Sequence, residues 1–410
     1  MLFRSTKLLI KLDMSFFCSY LFNAFIYQLL FLCLLKILKC LLVPKNMINF
    51  ELINLKSMKI LYDHQIFYPR YGGASKYFSM LISSLPRDIW QTTTLFSSNE
   101  YVKATNIFKT YPYLFKGQAL ICEYLNRIYT KYCINRQDFD IFHQTNFGTY
   151  CLKDLKNKPM VTTYHDSNLS TLDPHPKIVA RQAVSLMRSE AIITVSQNTK
   201  NDMLKLFDVD ESKVFVVHHG IEKFDLSTLN PSRVFSFPYI LYVGRRSKYK
   251  NFERFLRSFA VLCEKFDELH LVCTSIPFSN EELLLIEKLG VSSRIHHIFA
   301  SEDTMKCLFR DSEFFVYPSL YEGFGMPILE AWSCNCPVVL SYASCFPEIA
   351  GNAGLYFDPY SIDDMVDKMA MMLSDESLRK FYQERGTKRV LTFSWEKCAQ
   401  EHMNIYRSLL

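Results

Sequence analysis

Among the thirteen cysteines of this 410-residue chain no two stand at C-x-x-C spacing, so a zinc knuckle or dithiol redox centre has no sequence basis. The number is odd and the chain is far longer than a small secreted scaffold, which favours a reducing cytoplasm over a disulfide framework. Internal repeats and low-complexity tracts are absent too. Basic charge is missing where a nucleic-acid binder would need it: residues 58–410 hold 40 Lys/Arg against 39 Asp/Glu. The net charge of +6 lies almost wholly in residues 1–57, where Arg4, Lys7, Lys11, Lys36, Lys39, Lys45 and Lys56 face only Asp13 and Glu51. Nucleic acid is therefore not expected as a partner.

What is present is apolar and long. With 49% hydrophobic and 21% charged residues the chain is too apolar for disorder, and its length exceeds what one core supports. Two globular domains are expected. Ser15 to Leu35 contains no charge and would reach about 31 Å as a helix, roughly one bilayer core. Lys36, Lys39 and Cys40 follow it in place of a small-residue cleavage site, so it does not read as a cleaved signal. Two readings stay open for residues 1–57: a membrane anchor, placing the protein at a membrane through residues 15–43, or an in-frame extension ahead of a domain that opens at Met58. Localisation is expected to be cytoplasmic, with membrane-surface contact under the first reading.

From Lys59 onward short apolar runs alternate with longer amphipathic stretches, the pattern of parallel sheets covered by helices. Strands are predicted over 59–63, 160–164, 191–196, 213–218, 239–244, 269–274, 313–318 and 337–341, and an amphipathic helix over 251–266. The polar, proline-bearing stretch 223–238 marks the break between a first domain, 58–228, and a second, 229–395. The closing segment 396–410 is expected to be a helix that packs back on the first domain. Two α/β domains of similar size imply a cleft at the carboxyl ends of their strands, where such sheets bind ligands.

The strongest local signal is Glu322-Gly323-Phe324-Gly325-Met326-Pro327-Ile328-Leu329-Glu330 after the run EFFVYPSLY. A strand, a glycine turn and Pro327 at the first helical position leave the amides of 323–326 pointing outward from a helix N-terminus. Such amides suit a diphosphate or a sugar hydroxyl. Glu330 falls about one turn inside the helix, and its carboxylate could accept both hydroxyls of a ribose diol. Glu322 lies in the loop, beside the glycosyl group of the same ligand. In LYVGRRSKYKN, Gly244 ends a strand and Arg245, Arg246 and Lys250 follow. Cations held there stabilise the charge left on a departing diphosphate. No D-x-D stands at a strand's carboxyl end, since Asp138-Phe139-Asp140 precedes a strand start, so metal independence is expected.

With Tyr71-Gly72-Gly73-Ala74-Ser75-Lys76-Tyr77, VTTYHDSN, IITVSQNTKNDM, HHGIE, FPEIAGNAGLYFDP and FSWEKC, these segments resemble the retaining glycosyltransferases of family 4. That family carries an E-x7-E motif in a GT-B fold, two Rossmann-like doubly wound parallel-sheet domains facing a cleft. The likeness runs from Met58 to the C-terminus. It implies donor-binding roles for Gly72, Gly73, Gly244, Gly323, Phe324, Gly325, Met326 and Glu330. Catalytic roles follow for His165, beside the transferred sugar, and for Arg245, Arg246, Lys250 and Glu322. Of the two arginines Arg246 is slightly favoured. The implied reaction moves a sugar, mannose being the leading choice, from a nucleoside diphosphate to a glycan or lipid-linked glycan, with retention and without a cofactor. A nucleotide-sugar epimerase of the same architecture and a non-catalytic nucleotide-sugar binder are the alternatives.

Overall fold

The computed structural model describes residues 58–167, 175–222, 225–230 and 232–410. The apolar run Ser15–Leu35 and the rest of 1–57 lie outside the described residues.

Two six-stranded sheets, every pairing parallel, make up the scaffold. The first contains β1 (Ile60–Tyr62), β2 (Trp90–Thr92), β3 (Ile141–Gln144), β4 (Met160–Tyr164), β5 (Ala191–Thr194) and β6 (Val214–Val216), in the order β2-β1-β3-β4-β5-β6. The second contains β7 (Tyr239–Tyr242), β8 (His270–Thr274), β9 (Ile295–Ile298), β10 (Phe314–Tyr317), β11 (Val338–Ser341) and β12 (Leu355–Phe357), in the order β12-β11-β10-β7-β8-β9. All eight predicted strands are present. Of the other four, β3 begins after Asp138-Phe139-Asp140, where a strand start was expected, and β2, β9 and β12 complete the sheets.

The parallel sheets need helices on both faces, because a strand buried on each side must be covered twice. Helix Phe252–Cys263 shows how sequence meets this need: Phe252, Phe255, Leu256, Phe259 and Leu262 recur at helical spacing and are all buried, while Arg254 and Arg257 lie outside that stripe. It is shorter than the predicted 251–266, starting after Asn251, which takes a left-handed turn at φ 55°.

In each sheet the strand order reverses once, between β1 and β3 and between β7 and β10. At such a switch point neighbouring loops leave in opposite directions and open a crevice at the strands' carboxyl ends. The loops after β1, β7 and β10 carry the glycine-rich and cationic motifs, so topology alone gathers them at crevices. The last helix, Trp395–Ser408, returns to the first sheet: Trp395, Cys398, Met403 and Tyr406 share a core with Ile60, Tyr62, Tyr77 and Phe78.

Candidate active site

The loop after β10 supplies the centre. Gly325, at φ 90°, caps helix Met326–Ser333, and that backbone conformation suits glycine. Pro327 is the second helical residue, one position later than predicted, still where a proline N–H is not needed. Among the described residues no acceptor takes the amides of Gly323, Phe324, Gly325 or Met326. They remain available at a helix N-terminus, where the peptide dipoles favour an anion. Phe324 contributes backbone only, because its ring is buried and stacks on His219 at 4.4 Å. Met326 is half-buried and packs against the cores of both sheets.

Gly323 is where the two sheets' loops interlock. A Cβ there would overlap the carbonyl oxygen of His165, so only glycine lets the end of β4 approach this closely. The Gly323 carbonyl in turn accepts the Ser196 hydroxyl at 2.7 Å and the Thr199 hydroxyl at 3.1 Å. Ser196 also caps helix Gln197–Leu206 by accepting from the Thr199 amide. The same helix end receives Glu348 from beyond β11, whose carboxylate accepts the Gln197 and Asn198 amides at 2.8 and 3.1 Å and meets His218 Nε2 at 2.7 Å. Burial works against ionisation of Glu348, yet His218 and the two amides hold its carboxyl below the usual range.

His165 ends β4. Its ring meets Tyr77 edge-on at 5.0 Å and Phe78 at 5.8 Å, and its Nε2 has no hydrogen-bond partner among the described residues. Burial pushes its pKa down to about 4, so the imidazole is neutral at pH 7 and can donate or accept one hydrogen bond. His143, on β3, is a satisfied interior residue, bonded to Tyr406 at 2.6 Å and Thr163 at 2.9 Å.

The loop after β7 supplies the cations. Gly244 turns at φ 112°, with open space where a side chain would stand. Lys250 Nζ lies 2.5 Å from Glu322 Oε1 and 3.4 Å from the Tyr317 hydroxyl, both charged side chains being nearly buried. The two arginines divide. Arg246 is 1% exposed, donates to Glu282 at 2.8 Å and to the Ile276 and Pro277 carbonyls at 2.7 Å, and lies over the Phe278 ring. Its fork is consumed inside the second domain. Arg245 is exposed and has no ion-pair partner among the described residues. Of the two arginines, the slightly favoured Arg246 is thus engaged by protein groups, and Arg245 is the one left open to solvent.

Gly72 and Gly73 begin helix Gly73–Ser83 after the loop from β1 and are exposed. Nothing stands within 4 Å of a Cβ at Gly73. From this helix Lys76 reaches across to Glu330, Nζ to Oε1 2.6 Å. Sequence reading quoted Lys76 within its motif and gave it no role; a contact spanning 254 residues leaves no local signal. Among the described residues no cluster of three His, Cys, Asp or Glu side chains is disposed to hold a metal ion, and no helix is long and apolar enough to cross a membrane.

Residues 71–223 match the family described as Glycosyltransferase Family 4, and residues 234–389 that described as Glycosyl transferases group 1. The O-antigen chain mannosyltransferase B of Escherichia coli is 30% identical over 288 residues, covering 66% of this chain and 74% of that one. An uncharacterised glycosyltransferase of Methanocaldococcus jannaschii is 26% identical over 365 residues, covering 86% and 99%. In structure the chain is similar to Anabaena HepE in complex with UDP and glucose, with TM-score 0.71, 17% identity and coverage of 86% and 100%. It is also similar to sucrose-phosphate synthase from Thermosynechococcus elongatus, with TM-score 0.67, 16% identity and coverage of 86% and 99%. With two doubly wound sheets and both halves matched, the chain belongs to the family 4 glycosyltransferases and has their GT-B fold.

Proposed function

We propose that the protein transfers mannose from a nucleoside diphosphate donor to a glycan or lipid-linked glycan in surface polysaccharide synthesis, with retention at the anomeric carbon and without a metal. One observation carries this reading: the loops after β7 and β10 leave the switch point side by side, bringing Lys250 onto Glu322 next to the unengaged amides of 323–326, while Gly323 touches His165. The choice of sugar and pathway is supported by relatives named O-antigen chain mannosyltransferases in Escherichia coli and Salmonella typhimurium and an alpha-(1->4)-mannosyltransferase in Mycolicibacterium hassiacum. In this assignment residues 58–228 take the acceptor, 229–395 the donor, and 396–410 tie back to the first domain.

The chemistry follows from charge. Breaking the anomeric bond leaves negative charge on the distal phosphate, and Lys250, Arg245 and the helix amides stabilise it more in the transition state than in the ground state. Glu330 accepts the ribose diol, Glu322 lies by the glycosyl group, and neutral His165 positions the sugar. No side chain is assigned as nucleophile; the departing phosphate oxygen takes the acceptor's proton on the same face.

The test is purified protein with a panel of GDP- and UDP-sugars and product analysis. Transfer or slow hydrolysis of one donor, lost in Glu330→Ala, is the expected result. Conversion of donor alone to a new nucleotide sugar would make the protein an epimerase, and binding without any turnover would make it a non-catalytic binder.

A further inference from the structure

Glu330 would grip the ribose diol, yet in this structure its carboxylate is already held. The holder comes from the opposite sheet: Lys76, on the first turn of helix Gly73–Ser83, with Nζ 2.6 Å from Oε1 and each side chain about three quarters buried. We infer that Lys76 is a positioning residue for the donor's ribose, fixing the Glu330 carboxylate from the first domain so that its remaining lone pairs meet the two hydroxyls. This rests on the reading of Glu330 given under Proposed function.

Three observations converge on it. An ionised carboxylate offers about four acceptor positions, so one ammonium and two hydroxyls are accommodated together. Glu330 is the fifth residue of an eight-residue helix, its long side chain carrying several rotors that an unpartnered carboxylate would sample. The ammonium suits its place: burial alone would lower its affinity for a proton, but Glu330, with smaller contributions from Tyr101 and Glu302, more than offsets this, so Lys76 stays charged at any working pH. Tyr101, on helix Glu100–Thr105, and Glu302, at the start of helix Glu302–Asp311, act on the ammonium electrostatically, so groups of both domains bear on Lys76. Its methylene stem reaches across the crevice from the glycine turn that begins at Gly72. Ribose recognition in this protein is then a property of both domains together, present only when the first closes on the second.

The experiment measures ribose discrimination directly. Full-chain protein and the variants Lys76→Met, Lys76→Arg, Glu330→Gln and Lys76→Met/Glu330→Gln are titrated calorimetrically with GDP, UDP and their 2′-deoxy forms. The native protein is expected to prefer the better-bound ribonucleotide over its 2′-deoxy form by about tenfold, the scale of one well-placed hydrogen bond to a charged group. Lys76→Met should cut that ratio to about twofold, Lys76→Arg should restore most of it, and the double variant should match Glu330→Gln. A purely structural role for Lys76 would weaken both nucleotides equally; a ratio unchanged in Lys76→Met overturns the inference. If Glu330→Gln leaves the ratio intact, the reading of Glu330 itself fails, and native protein that binds neither nucleotide overturns both.

Discussion

The Tyr77 hydroxyl donates to His402 Nε2 at 2.7 Å. The His402 tautomer is set from the other side: its Nδ1 faces the Cys398 carbonyl at 2.7 Å, which can only accept, so Nδ1 carries the proton and Nε2 receives Tyr77. The Tyr77 side chain thus joins the helix of the glycine turn to the last helix, while its ring stands perpendicular to that of His165, centroids 5.0 Å apart. Tyr77→Phe keeps the ring and removes the donor, leaving a buried nitrogen unsatisfied. Stability should fall by about 1–3 kcal/mol, read as a lower urea midpoint at constant slope, with turnover nearly unchanged.

Gly323 and Gly73 should respond to alanine in opposite ways. A methyl at 323 meets the His165 carbonyl, a backbone atom that cannot rotate away. Gly323→Ala should cost about 1–3 kcal/mol and lower the melting temperature by several degrees. Gly73→Ala meets open space in a helix and should leave the melting temperature unchanged or raised. If the glycine turn faces the diphosphate, that same methyl weakens donor binding without touching stability.

The arginines separate by the same logic. Arg246→Met removes the ion-pair partner of half-buried Glu282 and the donor of the Ile276 and Pro277 carbonyls, and should lower stability by about 1–3 kcal/mol. Arg245→Met should leave the melting temperature alone and reduce kcat about tenfold or more. Lys250→Met should reduce kcat by about 10²–10³-fold, as expected for a fixed charge at the departing group. Equal losses of turnover at unchanged stability for both arginine variants would contradict the division drawn here.

Four histidines with depressed pKa values, His143, His165, His219 and His402, set the response to acid. Burial pushes His165 and His402 down to about 4, and holds His143 and His219 well below the ordinary value, with other histidines adding to it. Their folded pKa values are depressed, so the unfolded chain binds more protons at mildly acidic pH. Their contribution is complete above about pH 6.5 and is lost as pH falls toward 4. Urea midpoints should therefore decline from pH 7 to 5 and do so less steeply in His402→Gln. A flat profile over that range would show that these rings protonate without cost.

The strands that sequence reading passed over are short. β2, β9 and β12 are edge strands of three or four residues, too short to show an apolar run or an alternation. In β9 two of four residues are histidines; His296 reaches His270 at 2.9 Å and stacks on Phe237. β3 is central, but His143 and Gln144 interrupt its apolar run, and their burial is tolerable only because Tyr406, Thr163 and the Gly148 carbonyl meet them. At the site, the local elements were legible: the glycine turns, the loop that carries Glu322, the helix that carries Glu330 and the basic run after Gly244. What was hidden depends on distant partners. Nothing near Arg246 in sequence announces Glu282, thirty-six residues away, and nothing near Lys76 announces Glu330.

The return of Trp395–Ser408 to the first sheet has a consequence for the order in which the protein matures. Tyr62 shares a buried hydrogen bond with Tyr406, 344 residues later. At about 5–20 residues per second a ribosome needs roughly 17–70 s to make that stretch, and during that time the first domain is exposed without the helix that seals its core. A chain that stops short of Trp395 would lose more than one helix: it would leave the core of the first domain unsealed, a target for proteolysis and aggregation. Helix Trp395–Ser408 is a late-made piece on which a finished first domain depends.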